Sequence, residues 1–398
     1  MKLLIVVGAR PNFMKAAPIL KAIRQFNASQ GEWFDPLVPI LVHTGQHYDA
    51  QMSDAFFADL QMPQPDVFLG AGSGSHAAQT AEIMRRFEPV LAEQAPDALL
   101  VVGDVNSTLA CALVAAKLSV ETRPLIAHVE AGLRSFDRSM PEEINRILTD
   151  QISDLLFVSE ASGIRNLRAE GIPDEQARFV GNTMIDSLRE YESKADFSAA
   201  LEHFRLKRGS YALLTLHRAA NVDARDSFVE ILEGLRELAG SIRIIFPAHP
   251  RTQKEIREQR LDVYFNQTSG GVGIEMVPPQ GYLDFLCLMK HARLVATDSG
   301  GIQEETTALG VPCVTLRENT ERPVTLEVGT NLLAGTKRES IRRAIQQQLA
   351  FRGDRRVPEK WDGMASARIV QILADRIMAK TPAVAGLPTS AAGLQKNA

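Results

Sequence analysis

Short, almost uninterrupted apolar runs alternate along this chain with longer helical patterns, and few architectures tolerate that alternation. Candidate strands cover residues 3–7, 37–42, 98–102, 125–129, 155–158 and 177–180, with helical stretches such as 13–26 and 107–118 between them. Strands that are apolar throughout, rather than at every second position, are buried on both faces. The pattern therefore predicts a parallel sheet covered by helices on each side. It restarts at 211–216, 242–247, 273–277, 294–297 and 313–316, so the expected class is α/β with two Rossmann-like, doubly wound domains. The boundary is placed near Gly181, after the Gly171-Ile172-Pro173 turn, giving domains 1–181 and 182–364. A last helix is expected within 365–380. From Thr381 the chain is rich in Ala, Pro, Gly and Ser without periodicity, and 381–398 reads as a disordered tail. A length of 398 residues with 45% hydrophobic content is enough for two cores.

Several function classes are disfavoured. A net charge of −4 argues against a nucleic-acid binder, whose affinity comes largely from basic neutralisation of phosphates. No run approaches the roughly 20 apolar residues that span a bilayer. The opening run, Met1 to Val7, meets Gly8-Ala9-Arg10-Pro11 too soon for a secretory signal and reads as a buried first strand. Cys111, Cys287 and Cys313 are scattered in apolar contexts, as core thiols of a reducing compartment are. A cytoplasmic enzyme is the default expectation.

In open parallel sheets, ligands bind beyond the carboxyl ends of the strands. That rule selects Arg10, Asp104, Glu130, His217 and Asp298-Ser299-Gly300-Gly301, each just after a candidate strand. Around Glu130 runs His128-Val129-Glu130-Ala131-Gly132-Leu133-Arg134, followed by Pro141-Glu142-Glu143. Carboxylates at the edge of an apolar sheet are costly unless paired or used. An ion-paired turn plus an ordinary acidic helix start explains the same residues. Ser299-Gly300-Gly301 suits a diphosphate at a helix start, yet Ser299 equally suits an N-cap. Read alone, Asp104 caps the 107–118 helix, Lys15 is a solvated helix residue and His217 a satisfied histidine. His128-x-Glu130 lacks the following PCxxC of zinc deaminases, so no metal is expected. Gly70-Ala71-Gly72-Ser73-Gly74 lacks the spacing of a dinucleotide fingerprint.

Taken together, the motifs resemble those of the bacterial non-hydrolysing UDP-N-acetylglucosamine 2-epimerases. The similarity rests on Gly8-Ala9-Arg10-Pro11 with Lys15, Thr44-Gly45-Gln46-His47, Gly103-Asp104, the 128–134 and 141–146 segments, Gly181-Asn182-Thr183, His217-Arg218, Asp298 to Glu305, and Thr320-Glu321-Arg322-Pro323. All occur in the family's order. The resemblance implies a glycosyltransferase-B-type fold, with two domains facing a cleft and the last helix crossing back onto the first domain. It further implies that Arg10, Lys15, Arg322, Ser299, Gly300 and Gly301 hold the diphosphate of a UDP-sugar. Glu305 would bind the ribose, and Gln280 and Phe285 would lie beside the uracil. Asp104, Glu130, Glu142 and His217 would be catalytic. No cofactor or metal is implied, and a homodimer is.

The activity implied is reversible C2 epimerisation to UDP-N-acetylmannosamine through 2-acetamidoglucal, supplying a surface polysaccharide precursor. The alternatives are a 2-epimerase of a UDP-diacetamido-uronic acid, which Leu133-Arg134-Ser135-Phe136 also resembles, and a hydrolysing epimerase. A transferase of the same fold and a non-catalytic nucleotide-sugar sensor are further rivals. The chain departs from well-known members at Tyr48-Asp49 and Ala219-Ala220. Some members use those positions in an allosteric site for a second substrate molecule, so activation of that type is not expected here.

Overall fold

The computed structural model describes residues 1–31, 34–46, 62–265, 271–351 and 356–380. The tail proposed for 381–398 and the Tyr48-Asp49 departure lie outside them. The first sheet runs in the order β3-β2-β1-β4-β5-β6-β7 and the second in the order β10-β9-β8-β11-β12-β13. The strands of the first are β1 (Lys2–Val7), β2 (Val38–His43), β3 (Val67–Phe68), β4 (Ala98–Val102), β5 (Leu125–Ala131), β6 (Leu155–Val158) and β7 (Ala177–Phe179). Those of the second are β8 (Tyr211–Thr215), β9 (Arg243–Pro247), β10 (Gly273–Val277), β11 (Leu294–Thr297), β12 (Cys313–Thr315) and β13 (Asn331–Leu333). Every pairing is parallel. The result is the two-domain α/β arrangement of glycosyltransferase-B-type folds.

The central strands are apolar because both faces are covered: Leu3, Leu4 and Ile5 are fully buried, as are Leu99, Leu100 and Val101. Ile5 sits in register with Leu41 on one side and Leu100 on the other. Strand order reverses between β1 and β4, and again between β8 and β11, which creates a crevice at each carboxyl edge. The Ala365–Lys380 helix begins where Asp186 accepts from the Ala365 and Ser366 amides, at 3.1 and 2.6 Å. Its Ile369, Leu373 and Ile377 share a core with Ile19 and Ile23 of the Arg10–Ser29 helix. Among the described residues, no helix is long and apolar enough to cross a membrane.

Candidate active site

Asn12 organises the first crevice. Its side-chain oxygen accepts from the Gly8 and Ala9 amides at 3.0 Å each, and its nitrogen donates to the Val102 carbonyl at 2.8 Å. The turn after β1 is thereby fastened to the end of β4, which brings Lys15 beside Gly103. Gly103 has φ +71, and a Cβ there would lie 3.3 Å from Lys15 Nζ and 3.5 Å from Glu130 Oε2. Glycine meets both requirements at once, the left-handed backbone and the close approach.

Glu130 occupies an irregular position. β5 loses register with β6 between Val129 and Ala131, and Glu130 itself has φ +74. A non-glycine residue held there costs on the order of 1–3 kcal/mol, and a bulge of this kind re-aims a side chain. The redirected carboxylate forms buried ion pairs with Lys15 and, at 2.8 Å, with Arg322 Nη2.

Asp104 does not cap the helix that follows it. That helix begins at Asn106 with Val105 at its N-cap and no side-chain cap, and the Gln46 side chain instead accepts from the Ser107 amide at 3.1 Å. Asp104 is gripped by Arg146 at 2.9 and 3.0 Å, with about a quarter of its side chain (26%) open to solvent. Burial pushes its carboxyl up, but the Arg146, Lys15 and Arg322 charges hold it below the ordinary value. His128, below β5's carboxyl end, has both ring nitrogens engaged, with Asp150 at 2.7 Å and the Gly103 carbonyl at 2.8 Å. It braces the backbone carrying Asp104.

The second lobe supplies Arg322. Its guanidinium meets Glu321 at 2.6 Å, Glu304 at 2.9 Å and Glu130, so it is buried and held well above its ordinary range by these carboxylates against the pull of burial. Glu321 is shared with Arg317 at 2.9 Å, Arg218 at 3.7 Å and Arg146 at 3.9 Å, the last from the first lobe. Ser299 precedes the Gly300–Leu309 helix but makes no side-chain cap, leaving the first turn without one. A Cβ on Gly300 would stand 2.6 Å from Arg322 Nη1. The glycine thus lets the guanidinium lie against the helix start, where dipole and cation favour an anion together.

His217 follows β8, half exposed, with Nδ1 at 3.0 Å from Asp298 Oδ1. Asp298, fully buried after β11, also accepts from the His217 and Arg218 amides at 3.0 and 2.9 Å. Burial opposes its charge, but the His217 contact and these amides hold its carboxyl below the usual range.

Lys15, Asp104, Glu130, Arg322 and the Ser299-Gly300-Gly301 turn therefore form one connected site, which His217 joins through Asp298 and Arg218. Glu142, half-buried in the first turn of the Pro141–Ile152 helix, makes no hydrogen bond or ion pair among the described residues. Glu305 is buried with the Tyr282 hydroxyl 3.5 Å away. Gln280 folds back onto the Pro278 carbonyl at 2.6 Å, and Phe285 packs against the main core; neither contacts the ionic network directly. Arg10 opens its helix, but its side chain lies outside what is described. Sequence reasoning gave no role to Arg146, Glu304 or Glu321. Each lies inside a quoted motif, which was the available signal.

A family model described as UDP-N-acetylglucosamine 2-epimerase matches residues 35–374. A UDP-N-acetylglucosamine 2-epimerase of Methanocaldococcus jannaschii is 42% identical over 94% of this chain and 99% of its own length. A UDP-2,3-diacetamido-2,3-dideoxy-D-glucuronate 2-epimerase of Pseudomonas aeruginosa is 39% identical over 94% and 99%. The crystal structure of the M. jannaschii enzyme in complex with UDP-GlcNAc and UDP matches with a TM-score of 0.84 and 41% identity, covering 94% of this chain and all (100%) of that one.

Proposed function

The chain belongs to the UDP-N-acetylglucosamine 2-epimerase family of isomerases, and we propose that it interconverts UDP-N-acetylglucosamine and UDP-N-acetylmannosamine by eliminating UDP and adding it back. One observation carries the reading: carboxylates of the first lobe and the anion-binding groups of the second meet at a single point, Glu130 against Arg322 at 2.8 Å.

The chemistry asks for that meeting. C2–H of the sugar has no neighbouring carbonyl, so direct deprotonation gives a poorly stabilised carbanion. When the C1–O bond breaks, its electron pair leaves with UDP, and positive charge at C1 acidifies C2–H. A carboxylate takes the proton, and the C1=C2 bond of 2-acetamidoglucal forms. Return of a proton to the opposite face of C2, with attack of the UDP oxygen at C1, completes inversion. Arg10, Lys15, Arg322 and the Ser299-Gly300-Gly301 amides stabilise the departing diphosphate. Asp104, Glu130 and Glu142 handle the proton and the cationic character at C1. Glu142 makes no ion pair among the described residues, which leaves its carboxyl to the substrate. His217, steadied by Asp298, assists at the glycosidic oxygen. Glu305 receives the ribose hydroxyls, and Gln280 and Phe285 flank the uracil.

Turnover of UDP-N-acetylglucosamine in D2O, followed by NMR, tests this. Solvent deuterium at C2 of recovered substrate and product is the expected result; a C2 position free of exchange refutes elimination. A second reading, turnover of a UDP-diacetamido-uronic acid, is favoured by the P. aeruginosa relative. Direct comparison of the two nucleotides separates them. Free N-acetylmannosamine in the same spectra would mark a hydrolysing enzyme.

A further inference from the structure

Glu143 is a buried acid that the reaction above leaves unused. It lies in the first turn of the Pro141–Ile152 helix, and three of its bonds reach back to the preceding loop. Its Oε1 accepts from the Phe136 amide at 2.8 Å, and its Oε2 accepts from the Ser135 amide and hydroxyl at 2.9 and 3.0 Å. The same Oε2 pairs with Arg146 Nη1. Phe136 is held at φ +59 while 79% exposed, so little packing of its own offsets that backbone. Such strain persists only where the surroundings over-determine it, and here the Glu143 carboxylate does so. Arg146 is buried, and its Nε and Nη2 both donate to Asp104 Oδ2, at 3.0 and 2.9 Å, which leaves Oδ1 without a bond from it. The second lobe pulls on both parts of this assembly. Glu321 stands 3.9 Å from Arg146 Nη2, and Asn319 donates to Asp137 of the loop at 3.4 Å.

We propose that Glu143 is a positioning residue for the epimerisation: by clamping Arg146 between itself and Asp104, it fixes which oxygen Asp104 presents to the sugar. A guanidinium is a planar fork, so anchoring Nη1 sets the direction in which the Nε–Nη2 edge points. With Glu143 in place, that edge takes Oδ2 of Asp104 and Oδ1 is left for the proton at C2. Without the Glu143 charge, Arg146 is held by Asp104 alone and drawn toward Glu321, and the Asp104 carboxylate turns with it. A misplacement of about 1 Å costs on the order of 10²-fold in rate. The anchored loop keeps Glu143 in place when the second lobe moves. The inference rests on the assignment of Asp104 to proton transfer at C2.

A double-mutant cycle on the full chain tests it, with kcat and KM for UDP-N-acetylglucosamine read by NMR in the native protein, Glu143→Gln, Asp104→Asn and the double variant. Glu143→Gln is expected to lower kcat by about 10–100-fold. Its KM should change by less than about threefold, because Lys15 and Arg322 still hold the diphosphate. In the Asp104→Asn background the same substitution should lower kcat by less than about twofold, since the group it positions is already gone. A residue that merely supports the fold would lower kcat by the same factor in both backgrounds. Should Glu143→Gln not fold, Glu143→Asp takes its place in the cycle: it keeps the charge but is one methylene too short to hold the loop amides and Arg146 together. Equal losses in the two backgrounds, or a raised KM with kcat unchanged, overturn the proposal alone. A native protein that does not turn the nucleotide over overturns the functional reading and this one with it.

Discussion

Glu130 meets Arg322 across the two lobes at 2.8 Å, and it does so from a bulged, left-handed backbone position at the end of β5. Strain at a residue that also carries a buried charge signals a side chain placed for use. Glu130→Gln keeps the shape but leaves Lys15 and Arg322 without their shared partner. Breaking a buried pair in this way costs about 3–5 kcal/mol. Turnover should fall by about 10²–10⁴ if Glu130 handles a proton. Denaturant unfolding and NMR turnover measure the two separately, and a variant that is destabilised yet fully active would remove Glu130 from the chemistry.

His217 offers a cleaner separation, because 54% of its side chain is exposed while its partner Asp298 is fully buried. His217→Ala leaves Asp298 its backbone amide donors, so it should cost less stability than Asp298→Asn while lowering kcat by about 10²–10⁴. Asp298→Asn turns an acceptor into a donor facing amide N–H groups, so it should cost roughly 1–3 kcal/mol and disturb the loop as well. Chemical unfolding of the pair, with kcat for each, checks the contrast.

Much of this site was legible because parallel sheets expose their carboxyl ends at predictable places. Asp104, Glu130, His217 and Asp298 all fall where an apolar run stops. The partners were not legible, since Arg146 lies 42 residues from Asp104, and Arg322 lies 192 from Glu130. No local pattern encodes such pairings. The bulge was hidden as well: the apolar run predicts a strand ending at Val129, whereas β5 continues through Glu130 to Ala131. The two strands missed, β3 and β13, have two and three residues and lie at sheet edges, too short for any periodicity to declare itself.

Ser299 separates a capping role from a ligand-binding one. A serine that caps its helix stabilises it by about 1 kcal/mol, and Ser75 does so, accepting from the Ala78 amide at 3.3 Å. Ser299 makes no such bond. Ser75→Ala should therefore lose about 1 kcal/mol, whereas Ser299→Ala should be neutral in stability and, if its uncommitted hydroxyl joins the amides at the diphosphate, weaken UDP binding. A thermal shift of equal size in both variants would return Ser299 to the role of an ordinary cap.

Stability should pass through a maximum with pH, because the buried carboxylates are shifted in opposite directions. Asp298 and Glu321 are held below their ordinary values, burial being outweighed at Asp298 by the His217 contact and the amides and at Glu321 by Arg322, Arg317 and Arg146. Their stabilisation is present above the unfolded values, near 4, and is lost as pH falls through the lower folded ones. Glu160 has the reverse sign: burial raises it from 4.5 to about 7. Its contribution is complete below 4.5 and disappears as pH rises through about 7. A shift of that size corresponds to roughly 3 kcal/mol at most. Melting temperatures between pH 5 and pH 8.5 should accordingly fall more steeply for the native chain than for Glu160→Gln, which lacks the titrating group. Parallel curves would mean that Glu160 does not titrate in this window as burial requires.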